Sequence, residues 1–456
     1  MLKKKTTKNK KYIPQRYYVS TLSPKISAAA FQKELLYFVK DNFWTTDFPT
    51  TASSNFLTSF FPEKNATVIE LLSKKKFVLG GKTVLDEFAC GGTGLYANTG
   101  PIFNPYNSFH VAGGSSSGSA VAVAEGKASF ALGSDTGGSV RHPAAYCGVI
   151  GFKPSPGLVS RFGLIPTAAS MDNVGILTNS VDTTQKVFAI IAQPDANDLL
   201  TITPKSSKFK LSPSTKRLVV LKEIEKYLSP AFASLYQKTL AILRKKGYQI
   251  EVVEIPRKIR ENLQLCYMII CFSELVSHLN SLQGITYGAK ENTTIDQKRS
   301  NYLGKVVQER LLMGAYFLEN QAILATVQAW RQKVKQWTEQ LFRKYNFLIF
   351  PSTNSPAPKV DEIKDKKSLY QKADQTEGKE FLPNKTDQNT FVSLGSETHW
   401  SDNLLLLANF AGLPSLSLPI GFDNNLPVSI NINSALGKDK EVLKVAELLE
   451  KEINKL

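Results

Sequence analysis

The chain has 456 residues, of which 42% are hydrophobic, 10% aromatic and 21% charged, and this supports a large buried core and excludes both disorder and a small stapled fold. No uninterrupted apolar stretch is long enough to span a membrane as a helix, the densest run being Leu404 to Leu413 with Asn409 inside it. Cys90, Cys147, Cys266 and Cys271 are scattered without a Cys-x-x-Cys pair, so no zinc spacing or disulfide framework is indicated and a reducing compartment fits.

The net charge is +17, from 56 basic and 39 acidic residues. Residues 1–33 hold Lys3, Lys4, Lys5, Lys8, Lys10, Lys11, Arg16, Lys25 and Lys33 with no acidic residue before Glu34. Such a segment, with Ser20, Ser23 and Ser27 interleaved, reads as a basic leader for mitochondrial import or as a solvated tail that meets RNA phosphates. Residues 34–456 read as one domain.

Along that domain, residues 35–110 alternate short apolar runs with turn residues, and residues 65–76 read as a helix feeding a strand. Between Gly113 and Ser139, fourteen of twenty-seven positions are Gly or Ser, yet Ala120 to Ala124 and Phe130 to Leu132 are core-like. The pattern is therefore loop, short helix, buried strand and tight turn, and not a flexible linker. Residues 302–344 carry the longest helical period, mildly broken at Gly314, and Asn346 to Phe350 reads as a buried strand ended by Pro351. Residues 361–390 are densely charged and aperiodic, which predicts an insertion or surface excursion. Leu404 to Leu413 and Leu416 to Pro419 return to core character, and no internal repeat is visible.

The Gly/Ser segment admits three chemistries. A phosphate-binding loop is imitated at Gly81-Lys82-Thr83, but its first glycine is replaced by Lys76, so the cradle cannot form. Gly114-Ser115-Ser116-Ser117-Gly118 matches the Gly-x-Ser-x-Gly nucleophile turn, and His399 follows Asp361 and Asp365 in the required order, although short matches in serine-rich sequence are common. The third reading joins Lys40, the Gly113 to Ser119 cluster and Asp135-Thr136-Gly137-Gly138-Ser139-Val140-Arg141, with Lys40 lying 75 residues before Ser115 and Ser139 24 residues after it. A serine hydroxyl must lose its proton to a base, and a lysine whose ammonium is disfavoured by burial can serve. The apolar run Leu35 to Val39 would bury the stem of Lys40. For each residue taken alone a bland role remains, such as a snorkelling strand-end lysine.

Taken together the pieces resemble the amidase signature family. Pro49-Thr50-Thr51-Ala52, Gly81-Lys82-Thr83, Asp86-Glu87-Phe88, Pro143-Ala144-Ala145, Gly151-Phe152-Lys153-Pro154 and Ala411-Gly412-Leu413-Pro414 extend the match along most of the chain. The resemblance implies an α/β fold with a central mixed β-sheet covered by helices on both faces. It also implies a Ser-Ser-Lys triad in which Lys40 is the base, Ser115 relays the proton from a cis peptide, and Ser139 attacks the amide carbon. Thr136, Gly137, Gly138 and Ser139 would form the oxyanion hole, where paired glycines let backbone N–H groups converge. Ser116, Asp135, Arg141 and Asp172 would brace the serine loops.

Within the family the chain is most similar to glutamine-hydrolysing subunits of tRNA-dependent amidotransferases, which serve the conversion of Glu-tRNA(Gln) to Gln-tRNA(Gln). That resemblance implies Arg310 for the α-carboxylate of glutamine and Asp402 for its α-ammonium, a pairing of opposite charges that suits a zwitterion. Tyr267 would line the site. The alternatives are a solvated Arg310 paired with Glu309 or Glu319, and Asp402 as a helix N-cap. Cys90 and Cys147 read as packing residues, Cys90 aligning with a substrate-side loop. The same resemblance implies a B-type partner subunit using ATP and Mg²⁺, a small accessory subunit, tRNA(Gln) met mainly through the complex, no metal or cofactor on this chain, and a mitochondrial matrix location. Ser117 stands where the family's first loop carries glycine, and the segment before Lys40 is shorter than in bacterial relatives. A free-standing amidase for another amide, and a non-catalytic scaffold binding tRNA or a partner, are the competing functions.

Overall fold

The computed structural model describes residues 18–21, 35–201, 216–282, 295–363 and 403–455. Eleven strands form one mixed sheet: β1 (Tyr18–Thr21), β2 (Leu36–Lys40), β3 (Val78–Thr83), β4 (Phe130–Asp135), β5 (Ile150–Lys153), β6 (Asn173–Thr178), β7 (Arg217–Leu221), β8 (Gln249–Val253), β9 (Phe347–Pro351), β10 (Ser415–Asp423) and β11 (Leu426–Asn433). Their order is β1-β3-β2-β4-β6-β5-β10-β11-β9-β7-β8. β2 runs parallel to both β3 and β4, β7 runs parallel to β8 and β9, and the pairs in between are antiparallel.

Alternate side chains of the central strands serve two cores, as the two-residue period of a strand requires. Leu36 and Phe38 of β2 and Ala131 of β4 join one cluster with Ala120 to Val123 and Ala144. Tyr37, Val39, Phe130 and Leu132 join the other with Val68, Ile69 and Leu72. The first group of partners comes from helices α2 (Ser117–Ala124) and α3 (Arg141–Cys147) and the second from α1 (Thr67–Lys74). Helices thus cover both faces of a mixed sheet, as expected. The predicted helix feeding a strand over 65–76 is α1 followed by β3, and the Gly/Ser segment folds as loop, α2, β4 and tight turn.

Two details differ from the sequence-based expectation. Within the basic leader or tail, Tyr18–Thr21 adds an antiparallel edge strand to β3, with Tyr18 stacked 4.7 Å from Phe38, so these four residues belong to the sheet. The long helical period breaks at Asn320, between α5 (Lys305–Glu319) and α6 (Gln321–Lys344), and not at Gly314. Gly314 sits inside α5 because the helix closely crosses α4 (Leu263–Leu279): a Cβ there would lie 2.1 Å from the Phe272 carbonyl oxygen. The charged segment expected at 361–390 lies outside the described residues beyond position 363. Among the described residues no helix is long and apolar enough to cross a membrane.

Candidate active site

Because β2 and β4 are parallel neighbours, with Val39 opposite Leu132, their carboxyl ends reach the same edge of the sheet. This places Lys40, the last residue of β2, beside Ser134 near the end of β4. The loop before α2 closes over this edge, where Ser116 N–H donates to the Ser139 carbonyl at 3.1 Å and Asp86 N–H to the Ser115 carbonyl at 3.3 Å. Lys40 Nζ donates to Ser115 Oγ at 2.7 Å, and the Gly114–Ser115 peptide is cis. Lys40, Ser115 and Ser116 are fully buried, while Ser139 is 8% exposed, the member of the set that solvent reaches.

Burial pulls the Lys40 amine down to about 7, against the opposing pull of Asp86, Asp135, Asp172 and Cys90. Near neutrality a large fraction of the side chain is therefore the free amine that a general base requires. Next in the chain, Asp41 pairs with Lys82 at 3.1 Å, both fully buried. Burial pushes Asp41 up and Lys82 down, each restrained by the other. Thr51 donates to the same carboxylate, and Lys82 also donates to the Phe43 carbonyl and Thr50 Oγ1, which ties the chain beyond Lys40 to the end of β3.

The turn from Thr136 to Ser139 hangs on Asp135. Its carboxylate accepts from Gly138 N–H at 2.9 Å and Val140 N–H at 3.1 Å, and forms a two-pronged pair with Arg141 through Nε at 3.0 Å and Nη2 at 2.9 Å. Burial opposes ionisation, but the Arg141 guanidinium holds the Asp135 carboxyl well below the usual range. Asp172 fastens the other end, accepting from Thr136 Oγ1 at 2.5 Å and from Thr167 and Ala168 N–H. Gly138 has φ of +114°, and a Cβ on Gly137 would lie 2.5 Å from the Tyr267 ring. Two glycines are thus required here by backbone conformation and by a close approach.

Arg310, on α5, is half-buried with its guanidinium 5.3 Å from the centre of the Phe272 ring. Its electrostatic neighbours are Cys90, Tyr267, Cys271 and Asp86. Cys90 and Asp86 also act on Lys40, so Arg310 and Tyr267 face the same cluster as the serine loops. Neither Glu309 nor Glu319 pairs with Arg310, and no carboxylate does so within 4 Å among the described residues. Asp402 and His399 lie outside the described residues. All four cysteines are buried and free, with burial raising the Cys90 thiol to about 11, which suits packing and not nucleophilic attack. No group of three or more potential metal ligands occurs among the described residues.

Several contributors have no role that the sequence alone suggests. Asn409 bridges Asp135 and Arg141, donating at 2.9 Å and accepting at 2.7 Å; its only signal is being the polar residue inside an apolar run. Asp86 accepts from Gly94 and Tyr96 N–H beside the Ser115 loop. Ser134 meets Lys40 and Asn42 meets Ser134, and nothing in their spacing announces it. Ser117 begins α2 fully buried, and its hydroxyl has no partner among the described residues. Ser117→Ala is therefore expected to stabilise the fold by roughly 1 kcal/mol, read as an increase in melting temperature; a clear decrease would show that the hydroxyl is satisfied.

Known proteins resemble this chain in sequence and fold. A family model described as Amidase matches residues 33–443. The A subunit of glutamyl-tRNA(Gln) amidotransferase from Halothermothrix orenii is 34% identical over 91% of this chain and 84% of its own. The mitochondrial form of that protein from Ajellomyces capsulatus is 34% identical over 91% of this chain and 88% of its own. The crystal structure of the Thermotoga maritima counterpart superposes with a TM-score of 0.73 at 29% identity, covering 96% of this chain and 87% of that one. With the family match, the relatives' sequences and the fold in accord, the chain belongs to the amidase family of enzymes.

Proposed function

We propose that this chain is the glutamine-hydrolysing subunit of a tRNA-dependent amidotransferase that converts Glu-tRNA(Gln) to Gln-tRNA(Gln). The observation that carries the chemistry is a buried lysine, titrating near neutrality, in direct hydrogen bond with a serine whose loop abuts a second serine. Neutral Lys40 takes the Ser115 proton while Ser115 takes that of Ser139, and Ser139 Oγ attacks the side-chain amide carbon of glutamine. Backbone N–H groups of the 136–139 turn receive the developing oxyanion. The proton returns through Ser115 to the leaving nitrogen, ammonia departs, and water then cleaves the acyl ester by the same relay. Arg310 receives the α-carboxylate, supported by its lack of a carboxylate partner among the described residues. Asp402 receives the α-ammonium, and Tyr267 walls the pocket over Gly137.

Ammonia passes to a B-type subunit where ATP and Mg²⁺ activate the glutamyl ester of tRNA(Gln); a small accessory subunit completes the complex, and this chain holds no metal itself. The names of the relatives, some of them mitochondrial, and the basic residues before the edge strand at Tyr18 support this assignment and a mitochondrial matrix location.

The test is ammonia release from glutamine and Gln-tRNA(Gln) formation by the chain purified with its partners. Ser139→Ala is expected to abolish both, and Arg310→Ala to raise KM for glutamine about 10- to 100-fold, the value of a lost charge-assisted hydrogen bond. Gln-tRNA formed from glutamine by the Ser139→Ala complex would establish a scaffold instead. Indifference to Arg310→Ala would point to a different amide.

A further inference from the structure

The direction in which a neutral amine can accept a proton is set by where its two N–H bonds are engaged. Lys40 Nζ has three acceptors around it: Ser115 Oγ at 2.7 Å, Ser134 Oγ at 2.8 Å and the Ser134 carbonyl at 3.3 Å. The carbonyl can only accept. The Ser134 hydroxyl is in turn held by Asn42, whose Nδ2 donates to it at 3.0 Å. Asn42 and Ser134 are 1% and 2% exposed, and Asn42 Oδ1 has no partner among the described residues. A half-satisfied buried carboxamide is costly as a packing device, and among the described residues the one hydrogen bond its side chain makes is to the serine that touches Lys40.

We infer that Ser134, held by Asn42, is a positioning residue for the hydrolytic reaction: its carbonyl and hydroxyl oxygens take the two N–H bonds of neutral Lys40 and leave the amine lone pair facing Ser115 Oγ. When Lys40 takes up the relayed proton, all three N–H bonds are matched, so the ammonium is received without rearrangement of the side chain. The inference rests on the reading of Lys40 as base. The other charged or titratable groups acting on Lys40 are Asp86, Asp135, Asp172 and Cys90, and Ser134 is distinct from them in offering a neutral, directional contact.

The experiment uses the chain purified with its partners and follows two readouts across pH 5.5 to 9. One is ammonia release from glutamine. The other is the rate at which a fluorophosphonate labels Ser139, the serine oxygen bonding to phosphorus as fluoride leaves, which does not depend on the identity of the amide. Ser134→Ala is expected to lower kcat about 10- to 100-fold with KM for glutamine within about threefold, because the base is misaimed while the substrate pocket is untouched. Its acid limb should move to lower pH, since the ammonium loses an acceptor that stabilises it more than the amine. Ser134→Thr should restore rate and limb, Asn42→Ala should shift both in the direction of Ser134→Ala, and the double variant should be no worse than Ser134→Ala. An unchanged kcat and limb in Ser134→Ala, or a drop in melting temperature alone, overturns the inference while an inactive Lys40→Met keeps Lys40 as base. Full activity in Lys40→Met overturns the base assignment and this inference with it.

Discussion

Lys40→Met is expected to lower kcat for glutamine hydrolysis about 10³-fold, the scale of losing a positioned general base, while leaving a folded protein. Methionine keeps an unbranched side chain in the buried position at the end of β2 and removes only the amine that contacts Ser115 and Ser134. In the unvaried protein the rate should rise with pH through about 7, where Lys40 gives up its proton. The stability consequence has a definite sign. The folded-state value lies below the usual 10.5, so between about pH 7 and 10.5 the unfolded chain binds a proton that the folded chain has released, and the Lys40 contribution to stability improves as pH rises through that window. Lys40→Met lacks this linkage and should be more stable than the parent near pH 6, with the difference narrowing towards pH 10. Urea unfolding at the two pH values measures it, and a difference that widens with pH would contradict the buried amine.

Arg141→Ala is expected to destabilise the fold by about 3–5 kcal/mol, the cost of leaving one member of a buried charge pair alone. Asp135 would keep the Gly138, Val140 and Asn409 donors but lose both guanidinium contacts, and the Leu405 carbonyl and Ser415 Oγ would lose theirs. Activity should fall with stability, because the carboxylate that loses its partner is the one that holds the 136–139 turn. The ion pair also predicts an acid-sensitive fold: Asp135 is held below the usual carboxylate range, so its contribution is present above about pH 4 and is lost as pH falls through the lowered value. Chemical denaturation at pH 7 and pH 2, paired with ammonia release at pH 7, distinguishes the result from a simple cavity. A loss under 1 kcal/mol with activity retained would mean that the turn is held by other contacts.

The lysine and serine segments were legible because each had a local signature. Lys40 ends an apolar run, which is what a buried strand leading to a site looks like, and the strand Leu36–Lys40 is indeed buried throughout. The two Gly/Ser clusters flank a stretch too apolar for a linker, and that stretch is the helix and strand that carry Ser115 and Ser139 to one edge. The helical period over 302–344 reads in sequence as one helix with a weak point at its glycine. A glycine needed for close helix crossing and a glycine that ends a helix look alike in one dimension, and Gly314 is the first kind.

By itself the sequence determined the alternation of strands and helices, the lysine at the end of a buried strand, the serines in Gly/Ser loops, and the glycines of the turn, because burial period and backbone freedom are properties of neighbouring residues. Only the tertiary structure decided the supporting set. Ser134 reaches Lys40, and Asn42 reaches Ser134, because parallel β2 and β4 end together. Asn409 joins Asp135 and Arg141 across more than 260 positions of chain, and Arg310 is brought to Tyr267 by the crossing of α5 over α4, with Cys90 from a distant part of the chain among its electrostatic neighbours. Such polar partners leave no periodic trace: one hydrogen bond constrains one residue type at one point in space, and the chain separation across which it forms is fixed only once the sheet order is set.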